Sequence, residues 1–107
     1  MSDPTNDRPS CGENEPFALQ VLGDSMEPEF EHGSIIVLDP GYPPFNGAYV
    51  VAQYEGEFIF RQFVQEDGKR YLKPVNPNYP TIELTQPCPI KGVVWQKTYK
   101  RQRKHYL

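Results

Sequence analysis

The sequence predicts a mainly β domain of short antiparallel strands joined by hairpins. Three observations carry that expectation. No segment sustains an apolar period of 3.6 residues, the mark of an amphipathic helix. The apolar runs are short, and two pairs of them are separated by the turn dipeptides Glu55–Gly56 and Asp67–Gly68. Finally, 12 prolines and 8 glycines in 107 residues leave little uninterrupted chain for long helices.

In chain order, residues 1–15 are polar, Pro-punctuated and without periodicity, which predicts a disordered lead-in. FALQVLG alternates well enough for a strand, and SMEPEFEHG has room for one helical turn, cut short by Pro28 and Gly33. SIIVLD is a continuous apolar strand closed by Asp-Pro-Gly, and YPPFN is a loop. GAYVVAQY, EFIFRQFVQ and RYLKPV follow as strands separated by the two turn dipeptides. NPNYP is a loop, TIEL a short strand and QPCP another loop. IKGVVWQKTY is a long last strand, so the folded domain is expected over 16–99, with 100–107 as a basic tail. This plan leaves no room for a helix-turn-helix.

Composition bounds the function. Hydrophobic residues make up 37% and aromatics 13%, enough for one globular domain with a modest core. The net charge of −3 is not that of a nucleic-acid binder as a whole. The charge is uneven, because Lys97, Lys100, Arg101, Arg103 and Lys104 cluster near the end. Such a cluster is ordinarily a solvated end, but it also creates a local field that suits nucleic acid or an acidic partner. Cys11 and Cys88 fit neither a disulfide framework nor a metal-site spacing. Together with the lack of a membrane-length apolar run or a signal peptide, they suggest a soluble protein of the reducing cytoplasm. No cofactor or metal is expected.

The stretch VLGDSMEPEF holds Ser25 between Gly23–Asp24 and Met26, with Pro28 just beyond. An isolated serine is most often an ordinary turn residue. A serine on a tight turn is also where a nucleophile is presented, provided that a base takes its proton.

GDSMEP, HGSIIVLDP, NGAYVVAQYEGEFIFRQF, YLKPVNPNYPTIEL and IKGVVWQ occur in that order, and together they resemble the LexA-like serine peptidases. These are the C-terminal domains of LexA and phage repressors and the stand-alone UmuD proteins, with bacterial signal peptidases as distant relatives. The resemblance covers about residues 17–99 and implies the β fold of that family. It also implies that Ser25 stands at the nucleophile position, with Gly23, Asp24, Met26 and Pro28 lining the site. The family's general base is a neutral lysine on the strand after a hairpin, and the matching residue here is Arg61, 36 residues after Ser25. Deprotonating an arginine near pH 7 costs roughly 7–9 kcal/mol, which offsets most of what a general base contributes. Arg61 can still donate to the Ser25 hydroxyl or pair with an acid such as Asp24.

Other candidates carry plainer expectations. Lys73, on a strand, is a low-ranking substitute base, and Lys69 sits in a turn where it is solvated. His32 is expected at the surface and Cys88 as a packed thiol. Met26 is expected in the core or the cleft wall. Cys11–Gly12 resembles the bond that family members cut in their own linkers, but it lies only 13 residues before Ser25, with the first strand between them, so cleavage in cis is not expected.

The resemblance therefore implies an inactive or impaired peptidase-fold domain that acts as a protein-interaction module. Family domains commonly dimerise through the last strand, where Val93, Trp95 and Tyr99 alternate as on an interface strand. The implied setting is an SOS, phage or mobile-element regulatory system, with a repressor or a polymerase as partner. Two alternatives stand beside this reading. One is an active Ser-Lys peptidase with a substitute lysine, and the other is a nucleic-acid binder using the basic tail.

Overall fold

The computed structural model describes residues 15–107, so the expectations for residues 1–14 and for Cys11–Gly12 fall outside the described chain. Among the described residues, eight strands form one antiparallel sheet. They are β1 (Phe17–Gln20), β2 (Ile35–Asp39), β3 (Tyr49–Tyr54), β4 (Glu57–Glu66), β5 (Lys69–Lys73), β6 (Ile82–Leu84), β7 (Ile90–Tyr99) and β8 (Gln102–His105). The fold is mainly β, and among the described residues there is no helix, so none that is long and apolar enough to cross a membrane.

The lateral order is β1-β2-β7-β3-β4-β5-β6, with β8 paired to β7 outside that path. Two hairpins turn where the dipeptides predicted. Glu55 and Gly56 have φ of 50° and 82°, and Asp67 and Gly68 have 53° and 76°, the positive values a two-residue hairpin requires. The single helical turn expected after Ser25 forms and goes no further. Glu27 N–H bonds Asp24 O and Phe30 N–H bonds Met26 O, but no regular helix follows between the glycines. Pro28 brings no N–H to extend such a ladder.

β7 is the centre of the sheet. Its early residues pair with β3, its later residues with β8, and β2 runs along its other edge. Two register shifts, opposite Val37/Leu38 and opposite Val51/Ala52, leave extra residues on β7. Gly92 lies within this region, and a Cβ there would stand 2.9 Å from Leu38 Cβ. The glycine thus permits the close approach of β2 and β7.

Both faces of the middle strands are covered. One cluster gathers Met26, Phe30, Ile36, Leu38, Val51 and Val94, and a second gathers Val50, Ala52, Phe63, Leu72 and Val93. Neighbours in sequence such as Val50 and Val51 thus enter different clusters, as the pleat demands. Val93 is fully buried, so it is not the interface residue that alternation suggested; Trp95 and Tyr99 are half-buried.

The last eight residues also differ from the expected tail. Lys100 and Arg101 both adopt positive φ, 50° and 69°, and turn the chain back so that β8 pairs with β7 from Gln96↔His105 to Tyr99↔Gln102. Tyr106 then donates its N–H to Trp95 O and packs on the first cluster. Neither turn residue is a glycine or asparagine, so the turn carries local strain of about 1–2 kcal/mol per residue, which the packing beyond it offsets.

Candidate functional site

Ser25 sits in an irregular loop between β1 and β2, and three groups of contacts fix that loop. The first is internal. Gly23, at φ 92°, donates its N–H to His32 Nδ1 at 2.7 Å, and His32 N–H reaches Glu27 Oε2 at 3.2 Å. His32 is exposed, as expected, but it acts as the acceptor that closes the loop. Ser34, fully buried, ties its hydroxyl to Glu31 O at 2.7 Å.

The second group comes from the segment after β5. Asn76 donates its backbone N–H to Ser25 O at 2.9 Å and its side-chain amide to Asp24 O at 3.0 Å. Tyr79 donates its hydroxyl to Asp24 Oδ1, and that hydrogen bond is the main reason the phenol pKa is raised. Asn76 and Tyr79 were visible only as part of the LKPVNPNY motif, and no site role was expected of them. The contact itself spans more than fifty residues.

The third group comes from the C-terminal hairpin. Phe30 is fully buried, with ring contacts to Tyr49 at 4.8 Å, Phe60 at 4.8 Å and Tyr106 at 5.1 Å. Lys97 Nζ lies 5.6 Å above the same ring and donates to Glu29 O and Glu31 Oε1. The Glu29 carboxylate accepts from Lys104 Nζ at 2.7 Å and from the Tyr106 hydroxyl. Burial pushes the Glu29 pKa up, but the bonds from Lys104 and Tyr106 outweigh it and the net direction is downward. Burial and the bond to Glu29 push the Tyr106 phenol strongly upward.

Against this loop stands β4. Arg61 Nη1 donates to Ser25 Oγ at 3.1 Å and to Phe60 O at 2.8 Å, while Arg61 Nε is buried with no partner. Burial lowers the guanidinium pKa, yet arginine remains a cation at neutral pH. Among the described residues no carboxylate pairs with it, because the Asp24 carboxylate turns to Tyr79. A groove of about 290 Å³ opens here between β1, β3 and β4.

The other candidates lie elsewhere. Lys73 is exposed and stands opposite Gln62, and Lys69, expected in a turn, is the exposed first residue of β5, opposite Glu66; no hydrogen bond links either to Ser25. Met26 is fully buried in the core and Pro28 is exposed. Cys88 is a half-buried thiol whose Sγ donates to Gln53 O at 3.1 Å, and burial raises its pKa. Among the described residues no cluster of His, Cys, Asp and Glu gathers as a metal site would.

A serine on a cross-linked loop, met by a β4 side chain at the end of an apolar groove, matches the arrangement implied by the sequence resemblance. The chain belongs to the Peptidase S24-like family, whose model matches residues 5–95. It is 44% identical over 90 residues to Repressor protein C2 of Salmonella phage P22, an overlap of 78% of this chain and 41% of that protein. It is 44% identical over 87 residues to the HTH-type transcriptional regulator for conjugative element SXT of Vibrio cholerae, covering 75% of this chain and 40% of the regulator. The LexA repressor of Clostridium perfringens is 36% identical over 80 residues, 74% of this chain and 39% of the repressor. The chain thus spans about two fifths of the length of these relatives.

The Glu29 contacts generate a pH prediction. Its folded pKa lies below the ordinary 4.5, so its contribution is present above that value and is lost as the pH falls through and below it. Glu29→Ala is expected to destabilise the fold at pH 7 by about 1–3 kcal/mol, since Lys104 and Tyr106 lose their acceptor. The difference from wild type should narrow toward pH 3–4 in urea titrations. A deficit unchanged over that range contradicts the assigned role.

Proposed function

We propose that this chain is a catalytically inactive Peptidase S24-like domain that works as a self-associating protein-interaction module in a regulatory system of the repressor kind. The contact from Arg61 Nη1 to Ser25 Oγ is the observation that carries the reading. A serine nucleophile needs a neighbour that accepts its proton. Here the neighbour at 3.1 Å is a donor that stays charged near neutrality. Its N–H also occupies a lone pair of the oxygen that would attack. Lys73 and Lys69 face solvent and offer no substitute.

The regulatory setting is supported by relatives that are named as repressors and transcriptional regulators. Self-association is supported by the C-terminal hairpin, where Trp95 and Tyr99 remain half-exposed beside the edge strand β8. The nucleic-acid alternative is weaker on this surface, because Lys97 and Lys104 are engaged by Glu31 and Glu29.

Two experiments test the proposal. A fluorophosphonate probe at pH 7 is expected to leave wild-type Ser25 unlabelled. Arg61→Lys, which allows a neutral amine at the same place, is expected to permit slow labelling that Ser25→Ala abolishes. Ser25-dependent labelling or peptide cleavage by wild type would falsify the inactive reading. Separately, sedimentation at micromolar concentration is expected to show twice the 12.4 kDa mass of the chain. A single species at the chain mass removes the self-association.

A further inference from the structure

The groove beside Ser25 has apolar walls and a cation, Arg61, that no acid compensates among the described residues. Leu19, Leu22, Val51, Phe58 and Ile59 contribute to the walls, and its polar side chains are Gln20, Ser25 and Arg61. Leu22 is 75% exposed and Phe58 66%, unusually open for large apolar residues that flank one groove. A half-buried guanidinium without an acid partner is costly to hold, and a ligand that brings the missing negative charge recovers that cost. The Ser25 hydroxyl accepts from Arg61, so its proton is directed elsewhere, and among the described residues no group accepts it. Two donors, one charged and one neutral, therefore meet at the groove.

We propose that this groove is a receptor for the C-terminal end of an apolar peptide, with the terminal carboxylate seated on Arg61 and Ser25 and the preceding side chains against Leu22 and Phe58. Arginine suits this role because, with Nη1 engaged by Ser25 and Phe60 and Nε buried, Nη2 still carries N–H groups that can make a charge-assisted hydrogen bond to a carboxylate. A terminal carboxylate fits better than a glutamate or aspartate side chain within a longer peptide. Asn76 and Tyr79, bonded to Ser25 and Asp24, stand beside the donor pair, and a chain that ends there needs less room than one that continues. The receptor rests on the reading of Ser25 as unreactive, because an active serine would turn over what the groove holds.

The test uses the full chain and three fluorescein-labelled hexapeptides of leucine, valine and alanine, read by fluorescence anisotropy. One has a free C-terminus, the second is its C-terminal amide, and the third is an amide carrying one internal glutamate. The free acid is expected to bind about tenfold or more tightly than either amide, as a charge-assisted hydrogen bond implies. In Arg61→Gln this preference is expected to disappear. Phe58→Glu, at an exposed position, places a like charge in the wall and is expected to weaken the free acid selectively. Equal affinity for acid and amide, no binding of any peptide, or a glutamate amide as tight as the free acid each overturns the receptor. A preference that survives Arg61→Gln does so as well. If Arg61→Gln fails to fold by circular dichroism, the three-peptide comparison on wild type and the Phe58→Glu result still decide. Wild-type labelling of Ser25 defeats the inactive reading, whereas an unlabelled chain with no acid preference defeats the receptor alone.

Discussion

The burial of Phe30 is the constraint on which the site depends. The loop from Val21 to Ser34 is closed at its base by Val21 N–H to Ser34 O and Gly33 N–H to Val21 O, but it has no regular ladder beyond that base, so its middle also depends on distant parts of the chain. Phe30 supplies the anchor, a ring fully removed from water among Tyr49, Phe60 and Tyr106, worth about 1.5–3 kcal/mol in burial alone. Around it, the carboxylate and carbonyl of Glu29 take Lys104, Tyr106 and Lys97. The C-terminal hairpin therefore belongs to the site, because it presses the middle of the loop onto the sheet while Asn76 and Tyr79 hold its Asp24–Ser25 end. Met26, next to Ser25, is buried in the same cluster and closes the link between loop packing and serine position.

That fixed loop brings Ser25 to Arg61 across 36 residues of sequence. The consequence is chemical. The same geometry with a lysine can place a neutral amine beside the hydroxyl, whereas a guanidinium only donates. The domain retains the serine, the cross-linked loop and the apolar groove but presents a fixed positive charge where proton acceptance would be needed. Burial lowers the pKa of Arg61, the usual direction for a desolvated cation, without turning it into a base at neutral pH.

Much of the fold was legible because local chemistry and tertiary structure agree. Glu55–Gly56 and Asp67–Gly68 announce their hairpins, and the apolar runs of β2, β3 and β7 match their buried positions. The C-terminal strand was not legible. Lys100–Arg101 is no turn dipeptide, the strand after it is polar throughout, and only the docking of Tyr106 and Lys104 on the loop makes it part of the fold. Nor does alternation reveal that β7 lies between β2 and β3, where Val93 and Val94 are both buried. At the site, the positions of Ser25 and Arg61 followed from ordered motifs. The bonds of Asn76, Tyr79 and His32 are long-range or turn-specific and leave no periodic trace in sequence.

The central claim is that Ser25 accepts a hydrogen bond from a permanently protonated Arg61. Nitrogen-15 NMR of the arginine side chains measures it most directly. The account predicts that the Arg61 guanidinium keeps its protons through the neutral range, exchanges slowly at Nη1 and Nε, and shifts on Ser25→Ala. A rapidly exchanging, rotationally averaged Arg61 signal that does not respond to Ser25→Ala would place the side chain in solvent and contradict it.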